Sequence, residues 1–187
     1  MSTNIFVDDK SIDKSHSFKK LIFSGLDINY QDSQGWCMLF EAIVYNENIE
    51  AVLSLNPNIN LRDKKGRNAL YWAIKYKNFK AVKLLISKGI DMYVTPTLYA
   101  VHFAVYNDDV KMLKCLKNCD VDINYLDEIN ATALIYAVLY NKVHCVDYLI
   151  NNNANINQVD ILGNSAYTLA YELQMNNLIK KFDKLIK

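Results

Sequence analysis

The chain has 187 residues, of which 51% are hydrophobic and 12% aromatic, and a formal net charge of +1 from 21 basic and 20 acidic side chains. That is too apolar for a disordered chain and long enough for one globular domain or one short repeat array, and the 5 glycines and 2 prolines suit a helical chain better than a turn-rich all-β one. Near-neutral charge gives no prior for nucleic acid, and no apolar run approaches the roughly 18 residues that span a bilayer, so neither a nucleic-acid partner nor membrane insertion is expected.

The first residues, MSTNIFVDDKSIDKS, have no basic start and no long apolar run, so no signal peptide is expected. Residues 1 to 31 are set apart as an N-terminal capping segment, in which Phe18, Leu21, Ile22 and Gly25 supply one helix. The stretch from Asp63 to Asp91 is the best-formed unit. Asp63 and Gly66 bracket a turn. Ala69, Leu70, Ala73 and Ile74 mark one face of a short helix, and Asn78 breaks the pattern. Phe79, Val82, Leu85 and Ile86 restart it, and Gly89 ends it in a position that favours a left-handed residue. Two such helices cannot bury their apolar faces alone.

The unit recurs. Leu39-Phe40-Glu41-Ala42, Leu70-Tyr71-Trp72-Ala73, Val101-His102-Phe103-Ala104, Leu134-Ile135-Tyr136-Ala137 and Tyr167-Thr168-Leu169-Ala170 align on their alanines, with steps of 31, 31, 33 and 33 residues. Self-similarity at this period indicates a solenoid. The repeats fall near residues 32–62, 63–93, 94–126, 127–159 and 160–187. In the third, Val94-Thr95-Pro96-Thr97 replaces the Asp-x-x-Gly turn. Counting from the alanines on either side puts two missing residues in the hairpin, so a blunted finger and an irregular groove beside it are expected, with Arg67 and Tyr76 facing the gap. The last repeat ends in a lysine-rich helix with one solvated face, as a terminal repeat needs.

These features resemble the ankyrin repeat. Asp63 with Gly66, Asp32 with Gly35, and Asp160 with Gly163 match its opening turn, and Asp127 matches with Asn130 in place of glycine. Closing segments match at Gly25 to Asn29, Gly89 to Asp91, Asp122 to Asn124 and Ala154 to Asn157. The Thr-Pro-Leu-His tetrapeptide of the family survives only in parts: Thr132, with Ser165 close to it, and His102. The resemblance implies an all-α solenoid of helix-turn-helix units with short β-hairpin or loop fingers. It also implies a groove, lined by finger tips and short helices, that binds a partner protein.

Carried over repeat by repeat, the candidate partner-binding residues are Trp36, Tyr45, Lys64, Lys65, Arg67, Lys75, Tyr76, Tyr106, Ile129 and Tyr140. Tyr45, Tyr76 and Tyr140 lie three residues after their alanine and Tyr106 two, which predicts a line of tyrosines along the groove; tyrosine, tryptophan and arginine dominate binding hot spots. The bland reading is that these rings pack between repeats and the lysines keep the fingers soluble.

No enzyme chemistry rises above background, and no catalytic residue, metal site or cofactor is assigned. His16, His102 and His144 are far apart in the repeat frame, and His102 is expected to bond within its repeat. Cys115 and Cys119 share a helix face without the further ligands of a zinc site. With Cys37 and Cys145 they are expected to be buried thiols of an intracellular protein. The expected function is a non-enzymatic, monomeric module that binds one protein. It would be a host-directed viral or bacterial factor or a toxin-neutralising immunity protein, working in a cytoplasm, its own or a host's. The alternative is a small-molecule or metal-binding accessory of a redox enzyme, using His102 or the cysteines.

Overall fold

The computed structural model describes Gly25 and residues 27 to 186. The helix expected from Phe18, Leu21 and Ile22, and also His16, lie outside the described residues. The rest is a helical solenoid. Five short first helices, α1 (Met38–Val44), α3 (Ala69–Lys75), α5 (Ala100–Tyr106), α7 (Ala133–Leu139) and α9 (Ala166–Glu172), stack in a row. Each is followed by an antiparallel second helix: α2 (Ile49–Ser54), α4 (Phe79–Ser87), α6 (Val110–Lys117), α8 (Val143–Asn151) and α10 (Asn176–Ile186).

One local device makes every helix pair. The five register alanines are fully buried. Four residues after each, the chain turns left-handed, at Asn46, Lys77, Asp108, Asn141 and Gln174, with φ between 52° and 55°. The next residue then returns its N–H to the alanine carbonyl, as in Glu47 to Ala42 (2.9 Å) and Asn78 to Ala73 (2.9 Å). This is the Schellman arrangement, which satisfies carbonyls that the helix end leaves open. Alanine suits the register position because neighbouring helices meet there and a larger side chain would hold them apart. Asn48, Asn78 and Asp109 then cap the second helices through their side-chain oxygens.

The fingers between repeats share a second device. In four of them an aspartate closes a five-residue loop: Asp32 N–H donates to Trp36 O, Asp63 to Arg67, Asp127 to Ala131 and Asp160 to Asn164. One carboxylate oxygen of each accepts two further backbone N–H groups, as Asp63 does from Lys65 and Arg67. Finger 3 is built differently. Strands β1 (Tyr93–Thr95) and β2 (Leu98–Tyr99) pair antiparallel, Thr95 opposite Leu98, so that only Pro96 and Thr97 turn the corner. The two missing residues fall inside this finger, which is shorter than its neighbours and, among the described residues, the one whose two arms form a sheet, with a register shift between Tyr93 and Thr95.

Neighbouring fingers touch. Gly35 has φ +75°, and a Cβ there would stand 2.7 Å from the Asp63 Cα. Lys64 N–H donates to Gln34 O across the same contact (3.0 Å). Asn68 N–H joins finger 2 to finger 3 at Val94 O, and Ile161 N–H joins finger 5 to finger 4 at Ile129 O. Arg62 reinforces the second of these seams, donating to Gly66 O, Tyr93 O and the Asp91 carboxylate. Among the described residues no backbone–backbone hydrogen bond joins finger 3 to finger 4. That seam is held by side chains instead: Tyr93 and Tyr125 share a hydroxyl hydrogen bond (3.0 Å), and the rings of Tyr99 and Tyr125 stack at 3.8 Å.

Candidate functional site

The finger tips and the C-terminal ends of the first helices share one face. Tyr45, Tyr76 and Tyr140 are the C-cap residues of α1, α3 and α7, and Tyr106 is the last residue of α5. The first-helix ends of successive repeats put them in a row, Tyr106 one residue earlier in its repeat than the others, each half or more exposed (53%, 50%, 61% and 50% for Tyr45, Tyr76, Tyr106 and Tyr140). A helix end supplies this exposure: the ring leaves the barrel of the helix where no next turn covers it. Lys64 and Lys65 are exposed at the tip of finger 2, and Lys75 is exposed with its Nζ 5.7 Å from the rings of Tyr71 and Trp72.

Three of the expected residues are engaged inside the array. Trp36 is half-buried and edge-on to Trp72, their centroids 4.9 Å apart. Arg67 is half-buried. Its Nε donates to the Asp63 carboxylate at 2.6 Å, and its guanidinium lies 4.3 Å from the centroid of the Trp72 ring. Ile129 is half-buried against the core. On the side of finger 3 that faces Arg67 and Tyr76, Pro96 stands against finger 2: a Cβ on Gly66 would come within 2.8 Å of the Pro96 Cδ.

The opening lies on the other side of finger 3. A cavity of about 110 Å³ sits between repeats 3 and 4, walled by Leu98, Tyr99, His102 and Tyr106 from one side and by Asp127, Tyr136 and Tyr140 from the other. The repeat frame explains why it is open here. Six residues before the register alanine, Trp36 and Arg67 fill the corresponding space between repeats 1 and 2. At the same place stand Leu98 and Ala131 in repeats 3 and 4. One residue before the alanine, Trp72 is matched by the smaller Tyr136.

Its polar groups are well defined. The Tyr136 hydroxyl donates to Asp127 Oδ2 at 2.6 Å. Burial first, and then that carboxylate, push the hydroxyl up from the usual phenol range, so it stays a donor. His102 is buried, and a ring nitrogen, Nε2, bonds the Ala131 carbonyl in the next repeat (3.2 Å). A carbonyl only accepts, so Nε2 carries the proton and Nδ1 is the acceptor. Burial holds His102 below its usual pKa and keeps it neutral. Nδ1 is buried with no partner. Tyr99 stands at the threonine place of the resembled tetrapeptide, with its ring edge-on to His102 at 6.2 Å. The rings of Tyr136 and Tyr140 are nearly parallel (14°, centroids 6.0 Å apart), and Tyr106 stands edge-on to Tyr140 at 6.3 Å.

The four cysteines are free thiols, three buried and Cys119 half-buried. Burial pushes the Cys37 thiol up to about 11 and Cys145 to about 12. Among the described residues no three histidine, cysteine or carboxylate groups come together in a way that holds a metal ion. No helix among the described residues is long and apolar enough to cross a membrane.

A stack of helix pairs joined by fingers, with an exposed aromatic row on the finger side, defines a helical repeat protein built for surface recognition. The chain belongs to the ankyrin-repeat family: the family model described as ankyrin repeats (3 copies) matches residues 10–96 and 98–182. Among curated proteins it is similar to a palmitoyltransferase, AKR1, of the yeast Lachancea kluyveri, 36% identical over 64 residues. That match covers 34% of this chain but only 9% of the enzyme's length. Among solved structures it is similar to a chain in the complex of the Bd0816 predatory endopeptidase of Bdellovibrio bacteriovorus with the immunity protein Bd3460. The TM-score is 0.71 and the match covers 91% of each chain, at 21% identity, a likeness of fold.

Proposed function

We propose that this protein is a non-enzymatic binding module that engages one partner protein through its finger and first-helix face. The observation that carries the proposal is the row of Tyr45, Tyr76, Tyr106 and Tyr140, four half-exposed rings at the first-helix ends of successive repeats. Rigid aromatic side chains give large contact area at low entropic cost, and they concentrate binding energy. Lys64, Lys65 and Lys75 add positive charge at the finger 2 end, which suits a partner with an acidic patch there.

The finer role we favour is neutralisation of a toxic or host enzyme, in the manner of an immunity protein. The favouring observation is the fold likeness to a chain from a complex of an endopeptidase with its immunity protein. A cytoplasmic place of action, its own cell's or a host's, goes with this reading. The test is affinity purification from the native source with mass spectrometry, followed by titration of the captured protein. Replacing Tyr45, Tyr76, Tyr106 and Tyr140 together with alanine should weaken binding more than about tenfold while the circular dichroism stays unchanged. Wild-type affinity in that variant would overturn the assignment of the face.

A further inference from the structure

The cavity between repeats 3 and 4 has an internal precedent for what fills it. At the seam between repeats 1 and 2 the chain supplies its own cation. Arg67 bridges the finger aspartate, Asp63, and the ring of Trp72, and half-buried Trp36 fills the remaining space. At the seam between repeats 3 and 4 the aspartate and the ring are both retained, as Asp127 and Tyr136, and the cation is missing, because Ala131 stands where Arg67 does. Leu98 likewise replaces Trp36. The outcome is a space walled by a carboxylate, by Tyr99, Tyr106, Tyr136 and Tyr140, and by the neutral ring of His102.

The electrostatics of that space favour one chemistry. Among the described residues no cation pairs with Asp127, and no lysine or arginine lines the cavity. The Asp127 Oδ1 accepts the Ile129 and Ala131 N–H groups, and Oδ2 accepts only the Tyr136 hydroxyl. A carboxylate oxygen has room for a second donor. Aromatic faces attract cations, most strongly where water is excluded. Planar guanidinium can stack on a ring while donating along its edge, as Arg67 does here. A carboxylate-bearing or phosphate-bearing occupant would meet Asp127 with like charge.

We infer that this cavity is an anchor site for a single arginine side chain of the partner, which takes the place in repeats 3 and 4 that Arg67 holds in repeat 2. The inference rests on the binding face proposed above and names the partner chemistry that the face reads at this point. The exposed tyrosines supply area along the groove, and this one pocket supplies the register.

The test needs no knowledge of the partner. N-acetyl-arginine amide is titrated into the full chain, and the ring resonances of Tyr106, Tyr136 and Tyr140 are followed by NMR. N-acetyl-citrulline amide, which keeps the shape and loses the charge, is the control. The arginine probe should shift these three rings saturably, and the citrulline probe should bind more weakly by at least about tenfold. Two variants localise the effect. Asp127→Asn keeps an oxygen for the backbone N–H groups of the finger and removes the charge, and should reduce the arginine affinity to that of citrulline. Ala131→Arg should fill the site from within and abolish the shifts; if that variant does not fold, Tyr140→Ala, at an exposed residue, replaces it and should weaken the probe. Equal response to both probes, or an unaltered response in Asp127→Asn, would overturn the inference. The outcome is separable from the wider proposal: loss of partner binding in the tyrosine variant with no arginine selectivity in the cavity refutes only the anchor, whereas unchanged partner binding in that variant, which lacks two walls of the cavity, refutes the face and with it the cavity's part in partner binding, whatever the cavity selects.

Discussion

Gly35 provides the sharpest test of how the fingers are spaced. The residue sits at φ +75°, and an added Cβ would meet three backbone atoms of the next finger: Asp63 Cα at 2.7 Å, Lys64 N at 2.9 Å and Asp63 C at 3.0 Å. Two costs follow from alanine there. The left-handed conformation costs an L-residue about 1–2 kcal/mol. Moving finger 2 away stretches the Lys64 to Gln34 backbone hydrogen bond, worth about 1 kcal/mol. Gly163 has a similar φ (+86°) with nothing within 4 Å of the added Cβ, so alanine there bears only the first cost. Gly35→Ala should therefore destabilise by about 2–3 kcal/mol and Gly163→Ala by about 1–2. Gly35→Asn separates the two contributions, since asparagine tolerates the conformation, as Asn130 does in finger 4 (φ 57°), and retains the Cβ. The assay is urea denaturation followed by tryptophan fluorescence, because both Trp36 and Trp72 sit at the seam concerned, alongside far-UV circular dichroism for the whole array. Coincident transitions license a single free energy. If Gly35→Ala costs no more than Gly163→Ala, the finger contact contributes nothing and the spacing argument fails.

The buried His102 predicts a pH dependence. Its folded pKa is depressed, so in the window just below about 6.5 the unfolded chain binds a proton that the folded chain refuses. Stability should be fully present above that window and fall as pH drops through it, by up to about 1.4 kcal/mol per pH unit, and His102→Gln should flatten that part of the profile. A wild-type profile with no slope there would show that His102 is accessible to protons in the fold. The thiols predict an order of reaction: with a thiol-specific reagent at pH 8, half-buried Cys119 should label first, and Cys37 and Cys145, buried and with raised pKa values, only on unfolding. Mass mapping of the labelled peptides checks it.

The architecture was legible because its signal is repeated. Five alanines fix the register of every helix pair, and a backbone turn that recurs four residues later needs no particular side chain, being made by Asn46, Lys77 and Gln174 alike. The shortened third finger was legible for the same reason, by counting. The tyrosine row followed from the register too, since a residue's offset from its alanine sets whether it leaves the helix end. What did not follow was the state of Trp36 and Arg67. Their types and offsets mark them for the surface, and only packing against Trp72 shows them engaged within it. The cavity was hidden because it depends on two repeats at once: Leu98 from one and Ala131 from the next leave the space together. Comparing the sixth residue before each alanine down the array, Trp36, Arg67, Leu98, Ala131 and Asn164, is the signal that would have found it.

The seam between fingers 3 and 4 has a consequence for how the array comes apart. Backbone hydrogen bonds tie finger 1 to 2, 2 to 3 and 4 to 5, while side chains alone bridge 3 to 4. In a chain whose stability is a sum of neighbour couplings, the weakest coupling sets where cooperativity breaks. On the finger side the protein is thus two blocks, of three repeats and of two, meeting at a joint of tyrosines, while α5 packs on α7 and α6 on α8 across the same seam. An occupant lodged at that joint would touch both blocks and hold them in one relative orientation, so that recognition and the unity of the fold would draw on the same contacts.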